Sequence, residues 1–206
     1  MPYAPEHKQR TRSRIVQAAR HLFNVHGFAA VSIDEIMGEA GLTRGGFYKH
    51  FATKEDLYAE AVLEFICQDI PEAWQRKHID PSESGPALAR MILDAYLSDE
   101  HFKDREASCP MIALPSDVQR SEPAVRHAFK QVLEMMAGAF ETNLRPSSRP
   151  ARQRALGLVA MAVGTMVLAR SVGDPKLARE LREAARNEAY ARPGWGFGEA
   201  VKDAAE

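Results

Sequence analysis

The chain has 206 residues, of which 45% are hydrophobic and 27% charged, so it is long and apolar enough to bury a sizeable core. Its formal net charge of -1 at pH 7 gives no overall reason to expect a nucleic-acid partner. The two cysteines, Cys67 and Cys109, have neither the spacing of a zinc site nor the number that a disulfide framework needs.

The charge is unevenly distributed along the chain. Residues 1–54 contain eight Lys or Arg and four Asp or Glu, whereas the remainder contains nineteen and twenty-four. A basic N-terminal region followed by an acidic remainder is typical of a protein that binds nucleic acid through one domain only. We therefore predict two domains, a DNA-binding domain at 1–54 and a second domain at 55–206.

The first fourteen residues lack the apolar stretch and the cleavage pattern of a signal peptide, so we expect a cytoplasmic protein. Four basic residues lie in this stretch: Lys8, Arg10, Arg12 and Arg14. They could form an arm that contacts the minor groove or flanking phosphates. A frayed, solvated terminus is the alternative interpretation.

Two short helices joined by a tight turn are predicted between residues 32 and 51. Ser32 and Glu35 form a capping box that starts the first helix. Gly41 follows its end, where a left-handed backbone conformation is needed. The buried face of this helix carries Ile33, Ile36, Met37 and Ala40.

The second helix has an aromatic face and a polar face. Thr43 is its predicted N-cap, and Phe47 and Phe51 lie one turn apart on the side that must be buried. Gly45 and Gly46 are poor helix formers, and close approach to DNA would explain them. Thr53 then caps a third helix, at whose first position Lys54 is placed to meet a phosphate. This is the pattern of a helix-turn-helix.

From about Thr11 to Leu57 the chain resembles the DNA-binding domain of the TetR family of bacterial repressors. The resemblance implies an all-α fold: an N-terminal three-helix DNA-binding domain joined to a larger helical domain for ligand binding and dimerisation. It also implies that double-stranded operator DNA is the partner. The predicted DNA-binding residues are Ser32, Thr43, Arg44, Gly45, Tyr48, Lys49, His50 and Lys54. Because Gly45 and Gly46 leave fewer side chains to read bases, more of the selectivity should fall on Arg44, Lys49 and DNA shape.

The resemblance further implies a small-molecule cavity in the body. We expect a long helix from Thr53 to about Gln75, with Pro71 inside it, then a loop at 79–86 and a helix at 87–97. The predicted ligand-binding residues are Phe65, Trp74, Met91, Tyr96, Phe102 and Met111, with Met135 and Met161 as further possibilities. Each residue taken alone is as well explained as ordinary core.

Two later helices, near 121–144 and 151–171, predict a homodimer. In the second of them, residues 155–169 contain Thr165 as the sole polar side chain, a run too short to span a bilayer. We expect a helix buried nearly all round, by its own subunit on one side and by a twin on the other. Gly157, Ala160 and Gly164 would permit close approach.

The leading hypothesis is a repressor that a small molecule releases from a palindromic operator. The alternative is a DNA-bound architectural or protein-recruiting factor without an effector. No cofactor is expected, the scattered histidines predict no metal site, and no catalytic arrangement indicates an enzyme. Cys109 is interpreted either as an inert core residue or as a redox sensor at a helix N-terminus.

Overall fold

A computed structural model describes residues 5–67, 79–80 and 82–192, and all regular secondary structure within these ranges is helical. This confirms the predicted fold class. Helices α1 to α10 and a 3₁₀ helix follow one another along the described chain: α1 Pro5–His26, α2 Ile33–Glu39, the 3₁₀ helix Arg44–Lys49, α3 Lys54–Cys67, α4 Gly85–Tyr96, α5 Asp99–Lys103, α6 Pro110–Ala113, α7 Pro115–Gln119, α8 Pro123–Glu141, α9 Ala151–Ser171 and α10 Pro175–Ala191.

The described residues form two compact units. The first combines residues 5–67, which we call the head, with 104–132, and the second combines 79–103 with 133–192. The division therefore falls inside α8. The head extends beyond the predicted boundary at residue 54, because α3 packs along α1. The functional boundary between 54 and 55 stays a prediction.

The core of the head is an aromatic cluster between α1 and α3. The ring of Phe28 stacks on Tyr58 at 4.5 Å between centroids, and Phe23 meets Tyr58 edge-on at 5.0 Å. Such pairs stabilise a core beyond the area they bury. As predicted, Phe47 and Phe51 are also buried, which fixes the inner side of the helix-turn-helix.

Residues 104–132 are bound to the head by side-chain hydrogen bonds to backbone carbonyls and amides. Arg20 Nη2 donates to the Ala107 carbonyl at 3.0 Å, and Asn24 Nδ2 donates to the carbonyls of Glu106 and Ser108 at 2.8 and 3.0 Å. These bonds satisfy the backbone carbonyls of Glu106, Ala107 and Ser108.

In the second unit, α10 is attached to α4 and α5 through the side chains of two arginines, one of them buried. Arg182 Nη1 donates to the Leu97 carbonyl at 3.1 Å, Nη2 pairs with Asp99 at 2.5 Å, and the guanidinium lies 4.6 Å from the centroid of Phe102. Arg186 pairs with Asp94 one turn further along α10. The side chain of Arg182 is 6% exposed, so this group organises the interior of the unit.

The predicted N-terminal arm is wrong for residues 5–14, because α1 begins at Pro5. Two of the four basic residues are also bound to the head. Arg12 pairs with Glu60, and Arg14 Nη2 donates to the Ala40 carbonyl at 2.5 Å. Both guanidinium groups satisfy acceptors of the head, which explains why this stretch is an ordered helix and not an arm.

Helix α9 has the predicted bounds. It spans 21 residues, and by length and composition it is the one helix of the described chain that would suffice to cross a membrane. Its inner face is buried against its own unit, including Arg154 near its start. Its outer face is uncovered in the single chain, with Leu168 56% exposed. The predicted cover of this outer face by a twin subunit stays a prediction.

Three predicted features lie outside the described residues. These are the continuation of the long helix towards Gln75, the proline inside it at position 71, and the predicted ligand-binding residue Trp74.

Candidate nucleic-acid interface

The start of α2 is fixed by the capping box that its sequence predicts. Ser32 N donates to Glu35 Oε2 at 2.7 Å, and Ser32 Oγ accepts from Glu35 N at 3.2 Å. The bonds from the backbone N–H and hydroxyl of Ser32 lower the pKa of the Glu35 carboxyl. Ser32 is exposed, so it lies at the surface where a DNA phosphate would approach.

The turn after α2 also follows its sequence. Gly41 has φ 65°, the left-handed conformation that glycine tolerates best, and Leu42 N donates back to the Met37 carbonyl at 2.8 Å. The guanidinium of Arg14 reaches Ala40 from α1 and satisfies a carbonyl at the C-terminus of α2. The turn sets the direction in which the next helix leaves.

That next helix is a 3₁₀ helix and not the α-helix that a helix-turn-helix pattern predicts. We call it the recognition segment, Arg44–Lys49. Its first bond runs from Gly46 N to the Thr43 carbonyl at 2.9 Å, and Thr43 makes no side-chain capping bond. Two adjacent glycines cost roughly 1 kcal/mol each in an α-helix, so the tighter and shorter form is physically reasonable.

The outer side of the recognition segment displays most of the predicted DNA-binding residues. Tyr48 is 61% exposed and lies edge-on to the buried Phe47 at 5.2 Å. A Cβ built at Gly45 would meet no other described atom within 4 Å, whereas one at Gly46 would lie 3.4 Å from Met37. The exposed members of the predicted set are Ser32, Thr43, Arg44, Gly45, Tyr48 and Lys49.

Arg44 has an acidic neighbour that sequence analysis missed. Its guanidinium pairs with Asp34 in the first turn of α2, and both side chains are more than half exposed. The pair is solvated and therefore contributes little to stability. It holds the guanidinium at the surface, beside the residues of the recognition segment.

The side chains of His50 and Lys54 are less exposed than most of the recognition segment. The ring of His50 is partly buried and its Nδ1 has no hydrogen-bond partner among the described residues. Burial lowers the pKa of the imidazole, and the positive charges of Lys8, Arg12 and Lys49 lower it further. Both effects favour the neutral form of the imidazole.

The ammonium of Lys54 already has a partner inside the head. Its Nζ donates to the Phe28 carbonyl at 2.5 Å and lies 4.2 Å from the centroid of the Phe28 ring. Burial lowers the pKa of this ammonium. An ammonium has three donors, so two remain for a phosphate. Sequence analysis placed the residue at the helix start correctly but gave no sign of Phe28.

The predicted ligand-binding residues are divided between the two units. Met91, Tyr96 and Phe102 belong to the second, and Phe65 and Met111 to the first. Tyr96 and Met111 are buried, at 7% and 2% exposure. The lining as a set stays a prediction. Cys109 is fully buried as the N-cap of α6, as a core residue would be.

A cleft of about 260 Å³ lies within the first unit and contains none of those residues. Its walls come from the turn after α1, the start of α3, and α7 with the loop that follows it. Asp117 at its edge accepts from Phe28 N at 2.9 Å. Within the described residues no group of three metal-binding side chains occurs. The full lining is Phe28, Ala29, Glu55, Asp117, Arg120, Ser121 and Glu122.

The sequence also matches a known protein family and known regulators. Residues 15–61 match a family described as bacterial regulatory proteins, tetR family. The chain is also 26% identical over 165 residues to the HTH-type transcriptional regulator LmrA of Bacillus subtilis (strain 168), which covers 77% of this chain and 85% of that protein.

Solved structures share the fold. A TetR transcriptional regulator from Chloroflexus aurantiacus has a TM-score of 0.73 at 23% identity, with 91% of this chain and 98% of that chain covered. The complex of SmeT with triclosan has a TM-score of 0.62 at 22% identity, with 89% and 91% covered. The matched head, the relatives named as regulators and the shared all-α fold show that this chain is a helix-turn-helix transcriptional regulator of the TetR family.

Proposed function

We propose that the chain is a cytoplasmic repressor that binds a palindromic operator as a homodimer and is released when a small molecule binds its C-terminal domain. The observation that carries the proposal is the bare outer surface of the recognition segment at Gly45. The remaining features of the head and of α9 are consistent with it.

Gly45 is a glycine that the fold does not require. Its φ lies outside the left-handed region, and a Cβ there would meet open space. Alanine would favour a helical backbone by roughly 0.5–1 kcal/mol. A glycine in such a place costs stability without helping to pack the head, so something outside the chain must approach the backbone closely. A major groove is the partner that a helix-turn-helix fits.

The side chains around Gly45 have the chemistry for two kinds of DNA contact. Arg44 can donate two hydrogen bonds to a guanine edge, and Tyr48 can meet a phosphate or a thymine methyl. Lys49 would reach a base edge beside Arg44. Ser32, Thr43, His50 and Lys54 would bind the phosphate backbone, which orients the head without reading sequence.

The uncovered face of α9 supports dimerisation. Leu156 and Leu168 are exposed on it, and Cβ atoms built at Gly157 and Gly164 would meet open space. An apolar face with small residues between larger ones allows a second helix to approach closely. Two subunits related by a twofold axis would present two recognition segments to two half-sites of a palindrome.

Release by a small molecule rests on the family and on the apolar side chains of the body. SmeT, which shares the fold, was solved with triclosan. A ligand can release DNA only if it binds the off-DNA geometry more tightly, and a coupling of about 1–3 kcal/mol would weaken operator affinity roughly 5- to 150-fold. If neither triclosan nor any other apolar compound changes operator affinity of the folded dimer, the architectural or recruiting role replaces this one.

The first test is selection of duplexes from a randomised 30-base-pair pool by the purified chain, a length of about three helical turns. Fluorescence anisotropy then compares the enriched duplex with its scrambled version at physiological salt. We expect an inverted repeat to be enriched and the scrambled duplex to bind at least about 1000-fold more weakly. Equal, steeply salt-dependent binding to both duplexes would contradict sequence-specific operator recognition.

The second test asks whether Gly45 serves DNA binding. Gly45→Ala should leave the melting temperature unchanged or raise it, yet weaken binding to the enriched duplex, because the added methyl would meet the DNA. Gly46→Ala is the matched control, since its methyl faces Met37 inside the head. Unchanged DNA affinity in Gly45→Ala would remove the main support for this interface.

A further inference from the structure

Arg12 on α1 contacts three different parts of the head with one guanidinium. Its Nε and Nη2 donate to the two carboxylate oxygens of Glu60 on α3, at 3.1 and 2.5 Å. Its Nη1 donates to the backbone carbonyl of His50, directly after the recognition segment. Its Cζ lies 4.0 Å from the ring centroid of Phe51. Helix α1, the end of the recognition segment and α3 therefore meet at one side chain.

The recognition segment needs such support from outside. A 3₁₀ helix has poorer hydrogen-bond geometry than an α-helix, and this one contains two adjacent glycines. Its inner side is anchored by the buried Phe47. At its C-terminal end, the carbonyl of His50 accepts a hydrogen bond from Arg12, and it would lose this donor if Arg12 were absent.

The bidentate geometry matters because it fixes the plane of the guanidinium. Two parallel bonds to Glu60 leave Nη1 pointing in one direction, towards His50. A lysine at this position would keep the charge but could not form the fork or lie flat on Phe51. The position of the His50 peptide thus depends on a carboxylate on another helix.

We propose that Arg12 and Glu60 are positioning residues for DNA recognition: Glu60 orients the Arg12 guanidinium, which holds the end of the recognition segment at the angle that operator binding needs. The inference deepens the proposed function, on which it rests. The position of the recognition segment then depends on the position of α3, because the ion pair between Arg12 and Glu60 links the two.

A purely electrostatic role makes the opposite prediction for Glu60. A carboxylate in a DNA-binding head repels phosphate, so its neutralisation should tighten binding to any duplex. If Glu60 instead orients Arg12, its neutralisation should weaken binding to the enriched duplex. The sign of the change in Glu60→Gln therefore separates the two roles.

The experiment measures affinity of the full chain for the enriched and the scrambled duplex in four forms: wild type, Arg12→Lys, Glu60→Gln and Glu39→Gln. Glu39 is exposed at the end of α2 and provides the matched loss of one negative charge. We expect Arg12→Lys and Glu60→Gln each to weaken binding to the enriched duplex about fivefold, with the scrambled duplex unaffected or bound more tightly. Glu39→Gln should not weaken either.

Circular dichroism at the assay temperature shows that each variant is folded before it is compared. The double variant Arg12→Lys/Glu60→Gln should lose no more than the larger single loss, because both changes break one contact. Should Glu60→Gln bind the enriched duplex as tightly as Glu39→Gln does, the positioning role is overturned. Failure of the wild-type chain to enrich any sequence would instead overturn the proposed function.

Discussion

The helix starts of the head and the attachment of α10 in the second unit depend on contacts over different distances along the chain. In the head, α2 and α3 begin with capping boxes whose partners are three residues apart: Ser32 with Glu35, and Thr53 with Asp56. In the second unit, α10 is fixed by side chains that lie 83 to 96 residues from their partners, such as Arg182 with Asp99 and Tyr190 with Asp94.

This difference has a consequence for how each part is specified. Local capping needs a few residue types at fixed spacing, so the head has a short and recognisable sequence pattern, which the family match at residues 15–61 reflects. Long-range contacts join residues with no fixed spacing along the chain, so they leave no short pattern in the sequence. Many different sequences could therefore form the contacts of the second unit.

The largest expected effect comes from removing a long-range contact of α10 in the second unit. Arg182→Met should lower the free energy of unfolding by about 2 kcal/mol, because the Leu97 carbonyl loses a buried donor that methionine cannot replace. Urea unfolding measures the loss, and hydrogen exchange should place it in α10. Arg179→Met, on the exposed side of the same helix, is the control and should change stability by less than about 0.5 kcal/mol.

The next effect concerns binding and not stability. Arg44→Ala should cost about 1–3 kcal/mol on the enriched duplex and relax preference at one base pair, because its guanidinium would read a base edge. Lys54→Ala should weaken all duplexes evenly and reduce the salt slope by about 1. Anisotropy titrations on single-base-pair variants at three salt concentrations distinguish them. An even loss in Arg44→Ala would limit that residue to phosphate contact.

A smaller effect tests the local capping box at the start of α2. Ser32→Ala should destabilise the head by about 1 kcal/mol, because Glu35 N loses its capping acceptor. Thr43→Ala is the matched control, since Thr43 occupies an N-cap position without a side-chain bond. Thermal unfolding of both variants gives the comparison. Equal melting temperatures for the two would show that the capping box does not stabilise α2.

The smallest effect is a pH dependence in the second unit. The hydrogen bond from Arg182 lowers the pKa of the Asp99 carboxyl in the folded chain. Its contribution to stability is therefore complete above the ordinary carboxyl pKa of about 4 and is lost as the pH falls through the folded value. The stability difference between wild type and Asp99→Asn should shrink between pH 6 and about pH 3. Glu100→Gln should show no such trend; if it does, the dependence belongs to general charge and not to this bond.

Much of the head follows from local patterns. The Ser32 box, the left-handed Gly41 and the buried faces with Phe47 and Phe51 were predictable because each depends on neighbours within one helical turn. The exposed surface at Gly45 also follows, since it lies on the side opposite these aromatic residues. The local spacing of residues, however, does not distinguish a 3₁₀ from an α-helical recognition segment.

Other features depend on residues far apart in sequence. Glu60 lies 48 residues from Arg12 and Phe28 lies 26 from Lys54, so helical periodicity could not pair them. The same holds for Arg20 and Asn24, which bind residues 106–108. Arginines that look like a DNA-contacting arm in the sequence are instead acceptor-satisfying groups once the helices have packed.

By itself, the amino-acid sequence determined the all-α class, the helix starts and turn of the head, and the residues that its recognition segment displays, because capping and periodicity act over three or four residues. The tertiary structure alone decided which carboxylate orients Arg12, where the Lys54 ammonium is bound and which face of α9 is uncovered. Those outcomes depend on how helices pack, and packing brings together side chains whose distance along the chain carries no signal.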